Sequence, residues 1–188
     1  MKIVFLDVDG VLNGYSKFTG KLYWLFVKLK MMKFVNKHYD LFGVRTHKVK
    51  LLSKIIKITG AKVVISSSWR GGWYTPYEEK GSRQKSLEDK LNRFHIEVIG
   101  ITPKVSYGEY YSHRESEIKQ WLEDYKETTD SFVILDDESF DLQSFVGKEL
   151  IKTSEVKVGD IIRGAWYENT GLKRKHVQQA IKILNGGN

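Results

Sequence analysis

Three short apolar runs lie far apart along the chain, and small polar or acidic residues follow each of them. The runs occupy residues 2–6, 62–66 and 132–135, and residues 97–101 form a fourth, less clear run. Uninterrupted apolar runs of this length are typical of strands that are buried on both faces of a parallel sheet. The pattern therefore predicts a sheet made of strands that are distant in sequence.

Between these runs, the apolar positions recur with the period of a helix. In THKVKLLSKIIKITG, the apolar residues of 46–59 share one face, and Gly60 ends the predicted helix. Further helical patterns occur at 86–94, 112–125 and 173–184. The second of these begins with Ser112 and Glu115 in the spacing of a capping box. Alternating strands and helices predict an α/β fold, a Rossmann-like parallel sheet with helices on both faces, in a single domain over residues 1–188.

Residues 13–45 do not fit this alternation and form a predicted insertion. The stretch KLYWLFVKLKMMKFV, residues 21–35, predicts one helix that is apolar nearly all round. It is too short for a core of its own, so we expect a small helical cap insertion packed over the core. A partial lid, a dimer face or an interfacial membrane contact is the alternative. Lysines interrupt the stretch, and the sequence predicts no membrane-spanning helix.

The charge balance adds a preference for anionic partners. Lys and Arg number 31 against 23 Asp and Glu, a net charge of +8. This balance favours nucleic acid, nucleotides or an acidic membrane surface, and ordinary lysine-rich solvation explains it equally well. The chain has no cysteine, which excludes disulfides and thiolate sites and favours a cytoplasmic location. An acid as early as Asp7 is not typical of a signal peptide.

Carboxylates and hydroxyls follow the three clear strands at the point where each strand ends. They are Asp7 and Asp9 after the first, Ser66, Ser67 and Ser68 after the second, and Asp136 and Asp137 after the third. The carboxyl ends of parallel strands meet at one edge of the sheet, where ligands bind. Hard oxygen ligands suit Mg²⁺, and a divalent cation offsets the repulsion among the carboxylates. One carboxylate could also act as a nucleophile in phosphoryl transfer.

The motifs around these residues resemble those of a known superfamily. DVDGVLN at 7–13, VVISSS at 63–68 and VILDDESFD at 133–141 are similar to the first, second and fourth motifs of the haloacid dehalogenase superfamily of phosphohydrolases. The three motifs stand in the right order on the predicted elements, and the resemblance spans roughly residues 3–141. SSSWR at 66–70 and TGL before the last helix resemble a narrower group, the phosphatase-like domains associated with RNA-repair proteins.

This resemblance implies roles for the five acids. Asp7 would attack phosphorus and carry the phosphoryl group. Asp9 would protonate the leaving oxygen and then activate water, and its backbone carbonyl would also reach Mg²⁺. Asp137 would complete the metal site, with Asp136 or Asp141 helping through water. An acid at the position of Asp9 is general among the members that hydrolyse phosphoesters, so the resemblance implies a phosphatase or phosphotransferase rather than a dehalogenase.

The resemblance also implies groups that hold the phosphate. Ser66 would hold a phosphoryl oxygen, with Ser67 as the alternative. The third motif is a lone basic residue, and Arg114 in HRESEIKQWL fits it, with Lys119 as the alternative. Arg114 would neutralise the aspartyl-phosphate. Taken alone, an arginine at this place is as often a solvated helix residue.

The expected substrate follows from the small cap and the positive charge. An open site suits a phosphate at the end of a nucleic acid better than a mononucleotide, which usually needs more enclosure. Arg70 and Trp73 lie beside the serine motif, together with Trp69 and Tyr74. We expect Arg70 and Trp73 to bind the nucleic-acid substrate. The expected function is Mg²⁺-dependent phosphate monoester hydrolysis on nucleic-acid phosphate ends. The alternatives are a nucleotidase and a binding module without turnover.

Overall fold

The computed structural model describes residues 1–13, 17–31, 33–34, 43–105, 114–154 and 171–187. Within them, five parallel strands form one sheet in the order β3-β2-β1-β4-β5. The strands are β1 (Lys2–Leu6), β2 (Lys62–Ile65), β3 (Val98–Ile101), β4 (Ser131–Asp136) and β5 (Leu150–Lys152). The predicted α/β fold with a Rossmann-like sheet is confirmed. Strand β5 was not predicted, because three residues are too few to show a pattern.

Helices cover the sheet on both faces. They are α1 (Lys17–Lys28), α2 (Thr46–Thr59), α3 (Ser82–Arg93), α4 (Arg114–Asp124) and α5 (Arg174–Leu184), with short 3₁₀ turns at Ser68–Arg70, Tyr77–Glu79 and Gln143–Phe145. Apolar residues of α2, α3 and α5 join one core cluster, and those of α4 join a second cluster on the other face. The predicted end of α2 is confirmed, since Gly60 adopts φ +69° and its N–H donates to the oxygen of Ile56 at 2.8 Å.

The alternation of side chains along β1 separates these two clusters. Val4 and Leu6 point into the cluster of α2 and α5, whereas Ile3 and Phe5 point into that of α4. The ring of Phe5 meets Trp121 of α4 edge to face, with 5.3 Å between centroids. This contact fixes α4 on the sheet, and α4 begins at Arg114 beside the carboxyl ends of the strands.

The insertion differs from its prediction in the part that the structure describes. Helix α1 begins before the predicted segment and ends at Lys28. Lys30 adopts φ +55°, and the chain turns so that Phe34 reaches Phe26, with 4.9 Å between ring centroids. Leu25 and Leu29 are 49% and 56% exposed. No described side chain of residues 17–34 belongs to either core cluster, so the expected packing of one helix over the core is not observed there.

Parts of two predicted elements lie outside the described residues. They are residues 14–16, 32 and 35–42 of the predicted insertion, and Ser112 of the predicted capping box. The arrangement of residues 1–188 as one domain with a cap at 13–45 stays a prediction. In the described ranges, every helix is too short or too polar to cross a bilayer.

Candidate active site

The carboxyl ends of the strands carry the predicted site residues to one edge of the sheet. Each strand is extended by one further backbone hydrogen bond, so the polar residues that follow are held in register. Asp7 N–H donates to Leu135 O at 2.9 Å, and Ser66 N–H donates to Leu6 O at 2.9 Å. Because the register pairs Leu6 with Leu135, Asp7 and Asp136 are neighbours that follow adjacent strands. The convergence expected from the strand pattern is what the structure shows.

Three carboxylates form a cluster at this edge. One oxygen from each of Asp7, Asp136 and Asp137 lies within 4.8 Å of the other two. Asp7 and Asp136 are almost completely buried, at 3% and 1% exposure. The cluster leaves out the carboxylates of Asp9 and Asp141. Asp141 lies close enough to Arg114 to act on its charge, and its backbone oxygen accepts a hydrogen bond from Glu115.

Burial and mutual repulsion make ionisation of these three acids unfavourable. Burial raises the pKa of Asp7, and the charges of Asp136 and Asp137 raise it further, against the opposing effects of Arg114 and Ser67. Burial also raises the pKa of Asp136. Burial, Asp136 and Glu138 together raise the pKa of Asp137 to about 7. A bound cation would reverse this balance.

Arg114 is the positive charge that the structure places against this cluster. Its Nη1 donates to Oδ2 of Asp136 and lies 3.7 Å from Oδ1 of Asp7. Burial alone would lower the pKa of Arg114, but Asp136 and Asp7 outweigh it and raise that pKa. Lys119, the alternative, pairs instead with Glu115 one turn back on α4, at 2.6 Å. The geometry therefore favours Arg114 as the cation of the site.

The two candidate serines differ in what they contact. The Ser67 hydroxyl hydrogen-bonds to the Asp7 carboxylate and accepts from the backbone N–H of Trp69 at 3.4 Å. The Ser66 hydroxyl is buried, and it has no hydrogen-bond partner in the described part of the chain. A buried hydroxyl without a partner is costly, so it points to a ligand oxygen or a special role. Both serines thus remain candidates, for different reasons.

Asp9 lies beside the cluster and is held by two neutral donors. The indole Nε1 of Trp69 donates to Oδ2 of Asp9 at 2.8 Å, and Nδ2 of Asn13 donates to Oδ1 at 2.6 Å. Asn13 is itself fixed, because its Oδ1 accepts from the backbone N–H of Gly10 at 2.8 Å. The Asp9 side chain is 49% exposed, so a substrate leaving group can reach it. This placement suits proton transfer better than coordination by the carboxylate.

Arg83 is a residue of this site that the sequence did not reveal. Its guanidinium carbon lies 4.6 Å from the centre of the Trp69 ring, and its Nη2 lies 4.0 Å from Oδ1 of Asp9. The side chain is 62% exposed at the mouth of the site. Arg83 lies in the first turn of α3, in a segment without any recognisable motif. Its position at the site could therefore be found only from the tertiary structure.

Arg70 has a different partner from the one predicted. Its Nη1 donates to Oε2 of Glu117 at 2.5 Å and to the hydroxyl of Thr102 at 3.1 Å, and its Nη2 also contacts Glu117. The Arg70 and Glu117 side chains are only 11% and 2% exposed. If Arg70 turned towards a substrate, the buried Glu117 carboxylate would lose its partner, which is energetically costly. This cost makes a contact between Arg70 and a substrate unfavourable. The buried pair favours a structural role for Arg70, and its predicted role in substrate binding stays a prediction.

Trp73 is also placed differently from its prediction. The side chain is half-buried and packs against the core cluster of α2 and α5. The Lys80 ammonium lies 5.4 Å from the centre of its ring. This geometry favours packing over base stacking for Trp73. The exposed aromatic of the segment is Tyr74, at 75% exposure.

The segment before α5 packs against the loop that follows β1, residues 7–13, which we call the catalytic loop. Leu172 N–H donates to Val11 O at 2.9 Å, immediately after the DVDG motif. Gly171 adopts φ +63°, and a Cβ added there would lie 2.6 Å from Val11 O. Only glycine allows this approach. The TGL motif therefore has a physical reason, although Thr170 itself lies outside the described residues.

The donor set of the cluster fits Mg²⁺. It offers carboxylate oxygens only, which are the ligands that this cation prefers, and they converge within one coordination sphere. Burial first, and the neighbouring carboxylates second, raise the pKa values of Asp7 and Asp137, and a bound cation would favour their ionised forms. The residues that would hold the ion are Asp7, Asp136 and Asp137, and the predicted backbone carbonyl of Asp9 stays a prediction.

Comparison with known proteins agrees with this geometry. No curated protein and no solved structure matches the chain. One family model does match, described as the HAD domain in Swiss Army Knife RNA repair proteins, and it covers residues 3–159. The match contains all of the acids and serines discussed above and supports a phosphatase of the haloacid dehalogenase type. By this match over most of its length, the chain belongs to the family of HAD domains found in Swiss Army Knife RNA repair proteins.

Proposed function

We propose that the protein is a Mg²⁺-dependent phosphate monoester hydrolase that works through an aspartyl-phosphate on Asp7. The single observation that carries the proposal is the buried cluster of Asp7, Asp136 and Asp137 with Arg114 against it. A structural role alone does not account for three converging carboxylates with raised pKa values, because apolar residues would stabilise the fold better. The cost is understandable if the site binds a cation and a phosphate.

The first half-reaction uses the groups in the positions described. A carboxylate oxygen of Asp7 attacks phosphorus and forms the acyl phosphate, while the bond from phosphorus to the leaving oxygen breaks. Asp9, entering this step protonated, gives its proton to the leaving oxygen. When bound, Mg²⁺ would supply positive charge that neutralises Asp7 and the transferring phosphoryl oxygens. Arg114 and a serine hydroxyl add donors to the same oxygens.

The second half-reaction restores the enzyme. The Asp9 carboxylate takes a proton from water, which attacks phosphorus and releases inorganic phosphate as the bond to Asp7 breaks. Trp69 and Asn13 each donate a hydrogen bond to one oxygen of Asp9. Neutral donors therefore orient its carboxylate, and the nearest described cation, Arg83, lies 4.0 Å away. The exposure of Asp9 lets water enter after the leaving group has departed. Asp9 therefore serves both proton transfers from one position.

The proposed substrate is a phosphate at the end of a nucleic acid. Membership in a family described by RNA repair supports this, as does the net charge of +8. With Arg70 buried, Arg83 is the cation at the mouth of the site that could hold the next backbone phosphate. A nucleotidase acting on mononucleotides is the alternative, and it would need no contact beyond the acid cluster.

We also propose a domain organisation and a cellular location for the protein. The first is a single domain over residues 1–188 with a cap inserted at 13–45, which the match over residues 3–159 supports because it runs through the insertion. The second is a cytoplasmic location, which the lack of cysteine supports. Neither bears on the chemistry, since the acid cluster lies at the carboxyl ends of β1 and β4.

The test is hydrolysis of p-nitrophenyl phosphate by the purified chain with Mg²⁺ and with EDTA. We expect turnover only with Mg²⁺, and none in Asp7→Asn, because an amide cannot form the acyl phosphate. Asp124→Asn, on the exposed end of α4, is the matched control and should retain full activity. Turnover by Asp7→Asn, or equal turnover in EDTA, would refute the mechanism. The kcat/KM values for a phosphorylated oligonucleotide and for the matching mononucleotide are then compared. A higher value for the oligonucleotide supports the nucleic-acid substrate, and equal values support the nucleotidase.

A further inference from the structure

Two neighbouring helices, α2 and α5, carry a large part of the positive charge of the chain. Residues 43–59 and 171–187, which contain α2 and α5, hold nine Lys and Arg residues and no Asp or Glu. The whole chain holds 31 Lys and Arg against 23 Asp and Glu, so without these nine the balance falls to 22 against 23. Both helices are therefore strongly basic, as is the stretch 17–33 with its five lysines and no acid.

The two helices pack together in one layer of the fold, and both expose cations. Both bury their apolar residues in one core cluster and contact each other directly. On α2, Lys50, Lys54 and Lys57 follow the i, i+4, i+7 spacing of a single exposed stripe. On α5, Arg174, Lys175 and Lys182 are exposed. We name these six residues the basic face.

The buried end of this layer holds a lysine beside two other positive charges. Lys48 is 8% exposed, and its Nζ donates to Leu172 O at 2.5 Å. Burial, together with the positive charges of Lys173 and Arg45, lowers the pKa of Lys48 to about 8. An anion bound at the start of α2 and α5 would relieve this repulsion.

The basic face begins at the active site. Arg45 N–H donates to Leu12 O at 2.8 Å and Leu172 N–H donates to Val11 O at 2.9 Å, so both helices start at the catalytic loop. The other end of α5 lies at the opposite edge of the sheet, because Lys2 Nζ donates to Oδ1 of Asn185. An α5 of 11 residues is about 16 Å long, so the basic face runs well beyond the acid cluster.

A groove beside α5 widens the basic face. Its volume is about 860 Å³, and Lys175 and Lys182 of α5 line it on one side. Lys148 and Lys152 line it from the β5 side, and Asp130 and Glu149 are the carboxylates in its described lining. Asp130 pairs with the N-terminal amine. Lysines therefore outnumber the acids along a concave path that starts near Asp136, the register partner of Lys152.

We propose that the basic face binds the sugar–phosphate backbone of a nucleic acid whose phosphorylated end lies in the acid cluster. The proposal rests on the proposed function for the position of that end, but the binding itself needs no turnover. The chemistry is charge neutralisation by lysine and arginine, which depends on the backbone and not on base sequence. A surface of this kind holds a strand and leaves its end free to enter the site.

The test measures binding separately from catalysis. Fluorescence anisotropy in EDTA follows an eight-nucleotide strand without a terminal phosphate, over a range of salt concentrations. We expect binding that weakens with salt, and that is stronger than binding of a dinucleotide. The double variant Lys54→Gln, Lys182→Gln should reduce the slope of log K against log salt by about 1.4 to 1.8, since each lost phosphate contact removes about 0.7 to 0.9.

A matched variant controls for net charge. Lys62→Gln with Lys126→Gln removes the same charge from exposed lysines outside α2 and α5, and it should leave the slope unchanged. Equal losses in the two double variants, or no loss in the first, would overturn the proposal. Binding to vesicles with anionic lipid but not to the strand would overturn it as well.

The two proposals fail independently. Both double variants should hydrolyse p-nitrophenyl phosphate at the parent rate, because this small substrate does not reach the basic face. Strand binding that depends on Lys54 and Lys182, without any hydrolysis by the parent chain, would refute the proposed function and leave the surface intact. Hydrolysis with strand binding that ignores these lysines would refute the surface alone.

Discussion

The indole nitrogen of Trp69 lies 2.8 Å from Oδ2 of Asp9 and donates a hydrogen bond to it. The two residues are 60 positions apart, and each follows a different strand of the sheet. Trp69 is 6% exposed, so a buried side chain orients an acid that is half exposed. The indole thus links the second motif to the acid of the first motif for which we propose proton transfer.

Trp69→Phe should lower kcat while leaving the fold intact. Phenylalanine keeps most of the packing but loses the donor, so Asp9 keeps the hydrogen bond from Asn13 but loses the one to its Oδ2. General acid–base catalysis contributes roughly 10² to 10⁴ in rate, and we expect this variant to lose a part of that, on the order of tenfold. Hydrolysis of p-nitrophenyl phosphate measures the effect. Trp73→Phe is the control and should retain the parent kcat, and equal losses in both variants would contradict the assignment.

The two serines can be distinguished by their opposite effects on stability. Ser66→Ala removes a buried hydroxyl without a described partner, so the free energy of unfolding should rise, by up to about 1–3 kcal/mol. Ser67→Ala removes contacts to Asp7 and to Trp69 N–H, so the free energy of unfolding should fall. Urea unfolding measures both.

Kinetics of the same pair then assign the phosphate ligand. If Ser66 holds a phosphoryl oxygen, Ser66→Ala should reduce kcat/KM even though it stabilises the fold. A stabilised variant with the parent kcat/KM would leave Ser67 as the ligand. The two readouts move in different directions, so a general loss of structure cannot be mistaken for either result.

Arg114→Ala should be far more damaging than Lys119→Ala. The Arg114 side chain is 24% exposed and lies against Asp7 and Asp136, and removal of one partner from a buried pair costs about 3–5 kcal/mol. Lys119 makes an exposed pair along one helix, worth about 0.3–0.5 kcal/mol. Urea unfolding in EDTA gives both values.

Added Mg²⁺ should recover part of the stability of Arg114→Ala, because the cation offsets the repulsion that the arginine no longer opposes. Turnover should fall with Arg114→Ala and persist with Lys119→Ala. Equal effects of the two substitutions on turnover would reopen the assignment of the third motif.

In EDTA, the stability of the protein should decrease as pH rises from about 4 to about 7. The pKa of Asp137 is raised from 3.8 to about 7, so across this range the folded state retains a proton that the unfolded state has lost. The unfolded state therefore binds fewer protons, and the free energy of unfolding falls with pH. Asp7 and Asp136, whose pKa values are also raised, act in the same direction.

Asp137→Asn should remove part of this dependence, because an amide does not titrate. Saturating Mg²⁺ should also reduce it, because the bound cation stabilises the ionised folded state. Urea unfolding at several pH values measures the slope. A stability in EDTA that rises through this range in the parent chain, and equally in Asp137→Asn, would show that the cluster is not coupled to folding.

Gly171→Ala should impair both stability and turnover. The new methyl group would lie 2.6 Å from Val11 O, and alanine is strained at φ +63°. The catalytic loop must then move. Gly60→Ala is the control, because φ is +69° there and an added Cβ meets nothing within 4 Å. Its cost should be the backbone strain alone, about 1–2 kcal/mol, with the parent kcat. Equal kcat in both variants would exclude a role for the approach to Val11.

The sequence predicts the parts of this structure that depend on local patterns. Apolar runs and helical periods identify β1, β2, β4, α2 and α5, and the polar residues that follow the strands identify the acid cluster. Long-range pairing is not visible in this way. In the sequence, Arg70 lies beside a tryptophan and therefore resembles a substrate ligand. In the structure, it pairs with Glu117, which is 47 positions away. Arg83 reaches the site through the placement of α3, for which no local signal exists.

The hydrogen bond from Leu172 to Val11 has a consequence for biosynthesis. A ribosome makes the loop after β1 before it makes the segment that contacts this loop, since 161 positions separate Val11 from Leu172. An emerging chain therefore lacks this contact until α5 has been translated and has docked. The family match ends at residue 159, so we expect a fragment cut at that boundary to lack the contact permanently.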